Sequence, residues 1–176
     1  NQFFKEENYR LKKLINEKSL LSENYVITKV LLDQKSPYLK SVIINKGFKH
    51  GIKNGSSVVD NSYYVGKIVD VNHLSSRVLL ATDLNSKIPV IIEPSGNHAI
   101  LSGGGTNITN LIYVPDNHNI QDGDKVYTSG KEGIFSTGIP IGEVKKENDL
   151  FKVNLFSDLS QITFINIDLE RVEQIR

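Results

Sequence analysis

IQDGDKVYTSGKEGIFSTGIPIGEV, residues 120–144, is the stretch that decides the fold of this chain. Five glycines, at positions 123, 130, 133, 138 and 142, separate short β-prone pieces such as Lys125–Thr128 and Ile139–Ile141. A glycine accepts the positive φ that a tight turn between two strands requires, so Asp122-Gly123-Asp124 predicts a turn of this kind. The stretch therefore predicts short strands joined by glycine turns.

The same pattern extends over the chain from Val26 onward. Runs of about five residues rich in Val, Ile, Thr and Tyr alternate with Gly, Asn, Asp and Ser. Closely spaced strands with turn signals favour barrels or sandwiches over a sheet covered by helices. The predicted strands are 26–32, 41–45, 57–59, 64–71, 77–81, 89–93, 99–102, 111–114, 125–128, 141–145, 152–156 and 162–168.

Four segments of the first half recur in the second half, in the same order. The pairs are Gly51–Val59 with Asn119–Tyr127 at an offset of 68, Val65–Val69 with Ile141–Lys145 at 76, Val78–Asp83 with Val153–Asp158 at 75, and Ser86–Ile91 with Ser160–Ile165 at 74. The offset grows because the second copy has a longer loop at 129–137.

The repeat predicts two small β-barrel subdomains, 23–97 and 98–176. Barrels hide their strand edges by closing on themselves. The boundary near Asn97 is approximate, because a strand can cross between the halves. Structural roles in turns are predicted for Gly55, Gly66, Gly123, Gly130, Gly138 and Gly142.

Residues 1–22 predict a helix, because they contain no Gly or Pro and carry an apolar stripe at helical spacing. The helix either packs on its own domain or forms a coiled coil that joins two chains. A short helix is marginal when isolated, which favours the coiled coil. On that interpretation the dimerisation residues are Phe4, Leu11, Leu14, Ile15 and Leu21.

Composition limits the possible functions. The 176 residues carry a net charge of +1 and no cysteine, which gives no electrostatic case for nucleic acid and excludes disulfides and thiolate chemistry. No run of about 18 apolar residues is present. The chain starts at Asn1 without Met, so we expect a fragment of a longer protein whose anchor lies upstream.

Catalytic motifs are weak. The histidines at 50, 73, 98 and 118 lack the spacing of metal ligands, and Gly103–Gly105 lacks the Lys-Ser/Thr of a phosphate loop. Ser129, His50 and Asp83 supply the residue types of a serine protease, but no motif marks Ser129 as a nucleophile. We therefore expect no enzyme activity, no metal and no cofactor.

Read together, the repeated pieces resemble the MreC family of bacterial cell-shape proteins. The N-terminal Glu7-Asn8-x-x-Leu11-x-x-Leu14 is similar to the end of that family's coiled coil. One departure is Ser136, where the family usually has Pro after the Phe. The motifs that carry the resemblance are Gly51–Gly55, Val65–Val71, Ser76–Leu80 with Thr82-Asp83, Asp122–Val126, Thr128–Gly130, Gly133–Phe135 and Gly138–Val144.

The resemblance implies a mainly β fold, with a coiled-coil helix at 1–22 followed by two small barrels. It implies a homodimer on the periplasmic or cell-wall side of the inner membrane, anchored by an upstream transmembrane helix, and members of the family can also form filaments. It also implies a scaffold of the elongation machinery, or elongasome, that works with MreB, MreD, RodA and a class B penicillin-binding protein in peptidoglycan synthesis. The family has no catalytic residues.

For contact with a partner we predict Tyr63, Tyr64, Ile134 and Phe135, which lie in or beside predicted loops. Aromatic residues in loops are often anchors, although Phe135 could equally plug a barrel. A periplasmic adaptor subunit of an efflux or secretion system is the alternative function. It would require a lipoyl-like domain and a long helical hairpin. A barrel protease is the enzymatic alternative.

Overall fold

The computed structural model describes residues 2, 5–8, 25–33, 40–130 and 137–169. Residues 2 and 5–8 are helical, and the rest of the predicted 1–22 helix lies outside the described residues, so the coiled coil stays a prediction. A short 3-10 turn, η1, spans Phe48–His50. The strands are β1 (Tyr25–Asp33), β2 (Ser41–Ile44), β3 (Ser57–Asp60), β4 (Tyr63–Val71), β5 (Ser76–Leu80), β6 (Lys87–Glu93), β7 (Asn97–Ser102), β8 (Ile108–Ile112), β9 (Lys125–Thr128), β10 (Pro140–Glu147), β11 (Leu150–Leu155) and β12 (Phe164–Asp168).

These strands form two closed barrels, which confirms the predicted fold class. Barrel 1 has the order β1-β12-β3-β4-β5-β2, and barrel 2 has the order β10-β11-β8-β7-β6-β9. Every neighbouring pair is antiparallel. Each predicted strand corresponds to an observed one, with ends that differ by a few residues.

The barrels exchange their sixth strands. β6 follows β5 in the chain but lies between β7 and β9 of barrel 2, whereas β12 lies between β1 and β3 of barrel 1. If β1–β6 and β7–β12 are taken as the two copies, both barrels have the same circular order of equivalent strands. Between the predicted subdomains 23–97 and 98–176, β6 and β12 are the strands that cross, because each completes the barrel of the other copy.

Equivalent backbone hydrogen bonds recur in the two copies. Gly55 N donates to Ile68 O at 2.8 Å, and Gly123 N donates to Val144 O at 2.9 Å. In the same way the residue after β5 donates to Val65 O at 2.9 Å, and the residue after β11 donates to the equivalent Ile141 O at 3.0 Å. The ladder shifts register next to both acceptors, so each copy carries a bulge at the same place. The bulged residue thus leaves the pairing with one neighbouring strand, while its carbonyl continues the hydrogen bonding with the strand on the other side.

Gly66 and Gly142 lie inside β4 and β10, which corrects their predicted place in turns. Each directly follows the bulge, where the neighbouring strand approaches closely. A Cβ on Gly142 would clash with the Asn154 carbonyl oxygen and lie 2.7 Å from Val153 Cγ1. A Cβ on Gly66 would meet the backbone of β5 in the same way. Positive φ angles are found instead at Gly55, Gly123, Gly130 and Gly138.

The turns that lead into the exchanged strands are held by aspartates. Asp83 is buried, and its carboxylate accepts hydrogen bonds from Lys40 N and Asn85 N, both at 2.7 Å. The equivalent Asp158 accepts from Ser160 N at 3.0 Å.

The interiors of both barrels are filled by branched aliphatic side chains that form one continuous core. Tight packing of this kind leaves little room for added atoms.

We expect Gly142→Ala to lower the free energy of unfolding by about 3 kcal/mol, because the new methyl group has no space beside β11. Since the barrels share strands, calorimetry should show one transition that moves to lower temperature as a whole. Gly104→Ala is the matched control, because its Cβ would lie 3.3 Å from the nearest atom, Ile108 O. Two separate transitions, of which one alone moves, would contradict the coupling of the barrels.

Candidate protein-binding surface

The described residues bring no catalytic group together from the candidates in the sequence. The Asp83 carboxylate accepts a hydrogen bond from Lys40 N, just before the start of β2. His50, in contrast, lies in η1, beyond the end of β2. The base and the carboxylate of a serine protease would thus lie at opposite ends of that strand. Ser129 follows β9 in barrel 2, where its backbone N donates to Pro89 O at 3.1 Å. The three residues do not form a triad.

Two of the histidines make local contacts of their own. His50 Nδ1 accepts a hydrogen bond from Gly47 N at 3.1 Å, and His118 stacks edge-on against Phe151 at 4.9 Å between ring centroids. In the parts of the chain that the structure describes, no group of three or more His, Asp or Glu residues could hold a metal ion. Nor does any described helix have the length and apolar character needed to cross a membrane.

Tyr63, a predicted contact residue, lies where the two barrels meet. Its side chain is 38% exposed and packs on Phe156 with ring centroids 5.1 Å apart. Lys125 Nζ lies 5.7 Å from the centre of the Phe156 ring and 3.4 Å from Glu143 Oε1. Aromatic rings in contact with a cation and half open to solvent are typical of protein-binding surfaces. Sequence reasoning missed Phe156, because it was assigned to the end of the predicted strand 152–156, whereas β11 ends at Leu155.

Tyr64 was predicted as a contact residue, and the structure corrects its placement. The side chain is 1% exposed and belongs to the core of barrel 1. Adjacent residues of a strand point to opposite faces, so Tyr63 and Tyr64 could not both lie on the surface. Burial of the phenol raises the pKa of Tyr64 well above its ordinary value. Tyr64 therefore contributes to stability rather than to contact with a partner.

Ile134 and Phe135, the other predicted contact residues, lie outside the described residues. The two sides of their loop are joined at Thr128. Thr128 O accepts a hydrogen bond from Gly138 N at 2.8 Å, and Thr128 Oγ1 accepts one from Ile139 N at 3.0 Å. The loop 129–137 thus leaves and re-enters barrel 2 at one point.

A shallow groove of about 230 Å³ lies beside the start of this loop, between Ser129, Pro89 and Tyr113. Tyr113 is 81% exposed and has a φ of 57°, in the left-handed region that costs a non-glycine residue free energy. An exposed aromatic side chain on a strained backbone is a typical feature of binding sites. The sequence pattern placed Tyr113 within a strand, so its exposure was not predicted.

The predicted dimerisation residues are not part of the described structure. Phe4, Leu11, Leu14, Ile15 and Leu21 all lie outside the described residues. The short helical piece nearest to them, residues 5–8, is exposed to solvent along its length.

Comparison with known proteins gives one consistent result. The family profile described as "Rod shape-determining protein MreC, barrel core" matches residues 30–169. Cell shape-determining protein MreC from Cereibacter sphaeroides is 35% identical over 139 residues, which are 78% of this chain and 46% of that protein. The chain spans about half the length of the curated relatives it matches.

Two solved structures share the fold. The crystal structure of MreC from Pseudomonas aeruginosa superposes with a TM-score of 0.74 at 26% identity, over 82% of this chain and 99% of that one. MreC from Helicobacter pylori, solved in complex with a penicillin-binding protein, gives a TM-score of 0.56 at 18% identity, over 83% and 99%. At that identity the second likeness concerns the fold alone.

Two closed barrels that exchange their sixth strands define the chain as the double-barrel domain of a bacterial shape-determining protein. The family profile covers both barrels apart from the first five residues of β1, and it includes both strands that cross between them. The chain belongs to the MreC family.

The buried phenol of Tyr64 makes stability depend on pH in the alkaline range. The unfolded chain ionises this tyrosine near pH 10, whereas the folded protein keeps it neutral because its pKa is raised. Stability from this group is therefore complete below about pH 10 and falls by up to about 1.4 kcal/mol per pH unit above it.

We expect Tyr64→Phe to make the free energy of unfolding less steep between pH 9.5 and 11.5 by about that amount, as measured by urea titration. Tyr63→Phe is the matched control, because it removes the hydroxyl of the neighbouring tyrosine, whose side chain is 38% exposed rather than buried. Equal slopes for wild type and Tyr64→Phe would contradict the burial of this phenol.

Proposed function

We propose that this chain is the extracytoplasmic part of a non-enzymatic scaffold in the cell-elongation machinery. It binds a class B penicillin-binding protein, dimerises through its N-terminal helix, and organises and promotes sidewall peptidoglycan synthesis to maintain cell shape. The observation that carries the proposal is the match of both barrels to the MreC barrel core. In the full-length protein an upstream helix anchors the chain in the inner membrane, and MreB, MreD and RodA belong to the same complex.

Support for a penicillin-binding protein as partner comes from the Helicobacter pylori complex, in which an MreC of the same fold is bound to one. The chain offers suitable surface chemistry around the second barrel. Tyr113 is exposed beside the groove at the start of the 129–137 loop, and Ile134 and Phe135 belong to that loop. A few aromatic anchors usually supply most of the free energy of binding at such a surface.

The scaffold acts by binding one state of its partner more tightly than another. A protein without catalytic groups changes a partner's activity only through this difference in affinity. A tenfold preference for the active conformation shifts the equilibrium by about 1.4 kcal/mol in its favour. Binding to the non-catalytic region of the penicillin-binding protein suits this role, because the active site stays open to substrate.

Dimerisation strengthens the effect through valency. Two barrel pairs joined by one coiled coil hold two partner molecules near each other, which raises the effective concentration of the second binding event. The apolar stripe of residues 1–22 supplies the seam of such a coiled coil. Filaments would extend the same principle along the membrane.

Phe135→Ala should weaken binding to the class B penicillin-binding protein of the same bacterium about tenfold or more, because an aromatic anchor is lost. The melting temperature should change little. Isothermal titration calorimetry with the extracytoplasmic part of the partner measures the affinity. Phe164→Ala is the control, since Phe164 is an exposed phenylalanine on barrel 1. A large fall in melting temperature would instead place Phe135 in a barrel interior.

Leu11→Glu with Leu14→Glu should weaken self-association and leave the barrels folded, because two charges enter the apolar seam. Sedimentation velocity measures the association, and circular dichroism follows the β structure. The pair Lys12→Glu and Lys13→Glu adds the same number of carboxylates next to the stripe and should have a smaller effect. A monomeric wild type, or a double variant that dimerises as before, would refute the coiled coil.

A further inference from the structure

One end of barrel 1 presents exposed apolar side chains that the function above does not use. Phe48 in η1 is 75% exposed, and Leu74 at the tip of the β4–β5 turn is 53% exposed. Two backbone hydrogen bonds hold these segments together, from Phe48 N to Asn72 O at 2.8 Å and from Lys49 N to His73 O at 3.0 Å. The two apolar side chains therefore belong to one rigid surface.

Positive charge surrounds these side chains. Lys46, Lys49 and Lys53 form no ion pair with another described residue, whereas the nearby carboxylate of Asp70 is bound by Arg77 at 2.6 Å. The pKa of His50 is lowered by desolvation first and then by Lys46, Lys49 and His73. We call this surface, formed by Lys46, Phe48, Lys49, Lys53, His73 and Leu74, the basic aromatic end.

Part of the basic aromatic end borders a groove. This open groove of about 650 Å³ is lined by Phe48, Lys53 and His73, by Asp70, whose carboxylate is paired with Arg77, and by the buried Ile52. A flat lipid surface would not fill a groove of this shape, whereas a segment of polypeptide would. The shape and the charge together favour a protein ligand with carboxylate side chains.

The second copy of the repeat shows that the fold does not require these residues. His50 N donates to Gly47 O at 2.9 Å, and the equivalent His118 N donates to Pro115 O at 3.1 Å, so both copies close a turn here with an equivalent hydrogen bond. At the offset of 68, however, Phe48 corresponds to Asp116, Lys49 to Asn117 and Lys53 to Gln121. Barrel 2 thus forms this turn without an exposed aromatic residue and without lysine.

We propose that the basic aromatic end of barrel 1 is a docking surface for a segment of a partner protein that carries an apolar side chain flanked by carboxylates. The apolar side chain covers Phe48 and Leu74, and the carboxylates face Lys49 and Lys53. Exposed aromatic residues ringed by unpaired charges are typical of surfaces that a partner covers. This surface is separate from the 129–137 loop, so the inference does not depend on where the penicillin-binding protein binds.

The probe for this surface is the peptide acetyl-Asp-Glu-Phe-Asp-Glu-amide, added to the full chain labelled with nitrogen-15. We expect saturable shifts of the amide signals of residues 48–53 and 72–75, which weaken as salt is raised from about 50 to about 300 mM. Lys49→Glu with Lys53→Glu should weaken binding about tenfold, and Phe48→Ala should weaken it as well. Unchanged signals elsewhere show that the variants are folded.

The repeat supplies the matched control, Asn117→Glu with Gln121→Glu in barrel 2, which should leave peptide binding unchanged. Two further peptides test the carboxylates and the apolar side chain separately. One has Asn and Gln in place of the acids, the other has Ala in place of Phe, and both should bind more weakly. Shifts spread over both barrels, or equal binding of the uncharged peptide, would overturn the proposal. So would signals that change on dilution without peptide, which would indicate a second copy, or binding to phosphatidylglycerol vesicles that the peptide does not displace.

Discussion

The exchange of β6 and β12 between the two barrels is the constraint on which the rest of the structure depends. β12 closes barrel 1 between β1 and β3, and β6 closes barrel 2 between β7 and β9. Without the exchanged strand, each barrel would present two open edges with unpaired N–H and C=O groups. Neither copy of the repeat can therefore bury its backbone by itself. The chain is one structural unit, even though its sequence reads as two.

This constraint also fixes the surfaces with which the proposed scaffold would bind its partners. The turns that lead into the exchanged strands are held by the Asp83 carboxylate in one copy and the Asp158 carboxylate in the other. Between the barrels, Tyr63 packs on Phe156, and Lys125 joins the ring to Glu143. A surface that is already in its binding geometry loses less entropy on association. In the proposed function, strand exchange would thus contribute to affinity for a partner as well as to stability.

The local structure could be predicted from the sequence, whereas its assembly could not. Strand positions follow from runs of β-prone residues between turn signals, which act over a few residues. The strand exchange has no local signal in the sequence. The offset between Ser86–Ile91 and Ser160–Ile165 is the same whichever barrel each strand joins. Tyr63 and Tyr64 were both predicted to contact a partner, because the sequence did not show that both belong to one strand, in which alternation turns Tyr64 into the barrel. Gly66 and Gly142 were recognised as structural, but their reason is close strand packing rather than a turn.

The two copies also separate residues that serve the fold from residues that do not. Where the copies agree, as at the Gly55 and Gly123 turns and at the bulges beside Gly66 and Gly142, the residue satisfies the backbone. Where they differ on the same backbone, the fold does not explain the difference. Two such places stand out: the 129–137 loop of the second copy, and Phe48 with its lysines in the first. They lie on different barrels, and the exchanged strands hold those barrels together. A duplicated fold that has diverged in this way can bind two different surfaces at a fixed spacing, which a pair of identical barrels cannot do.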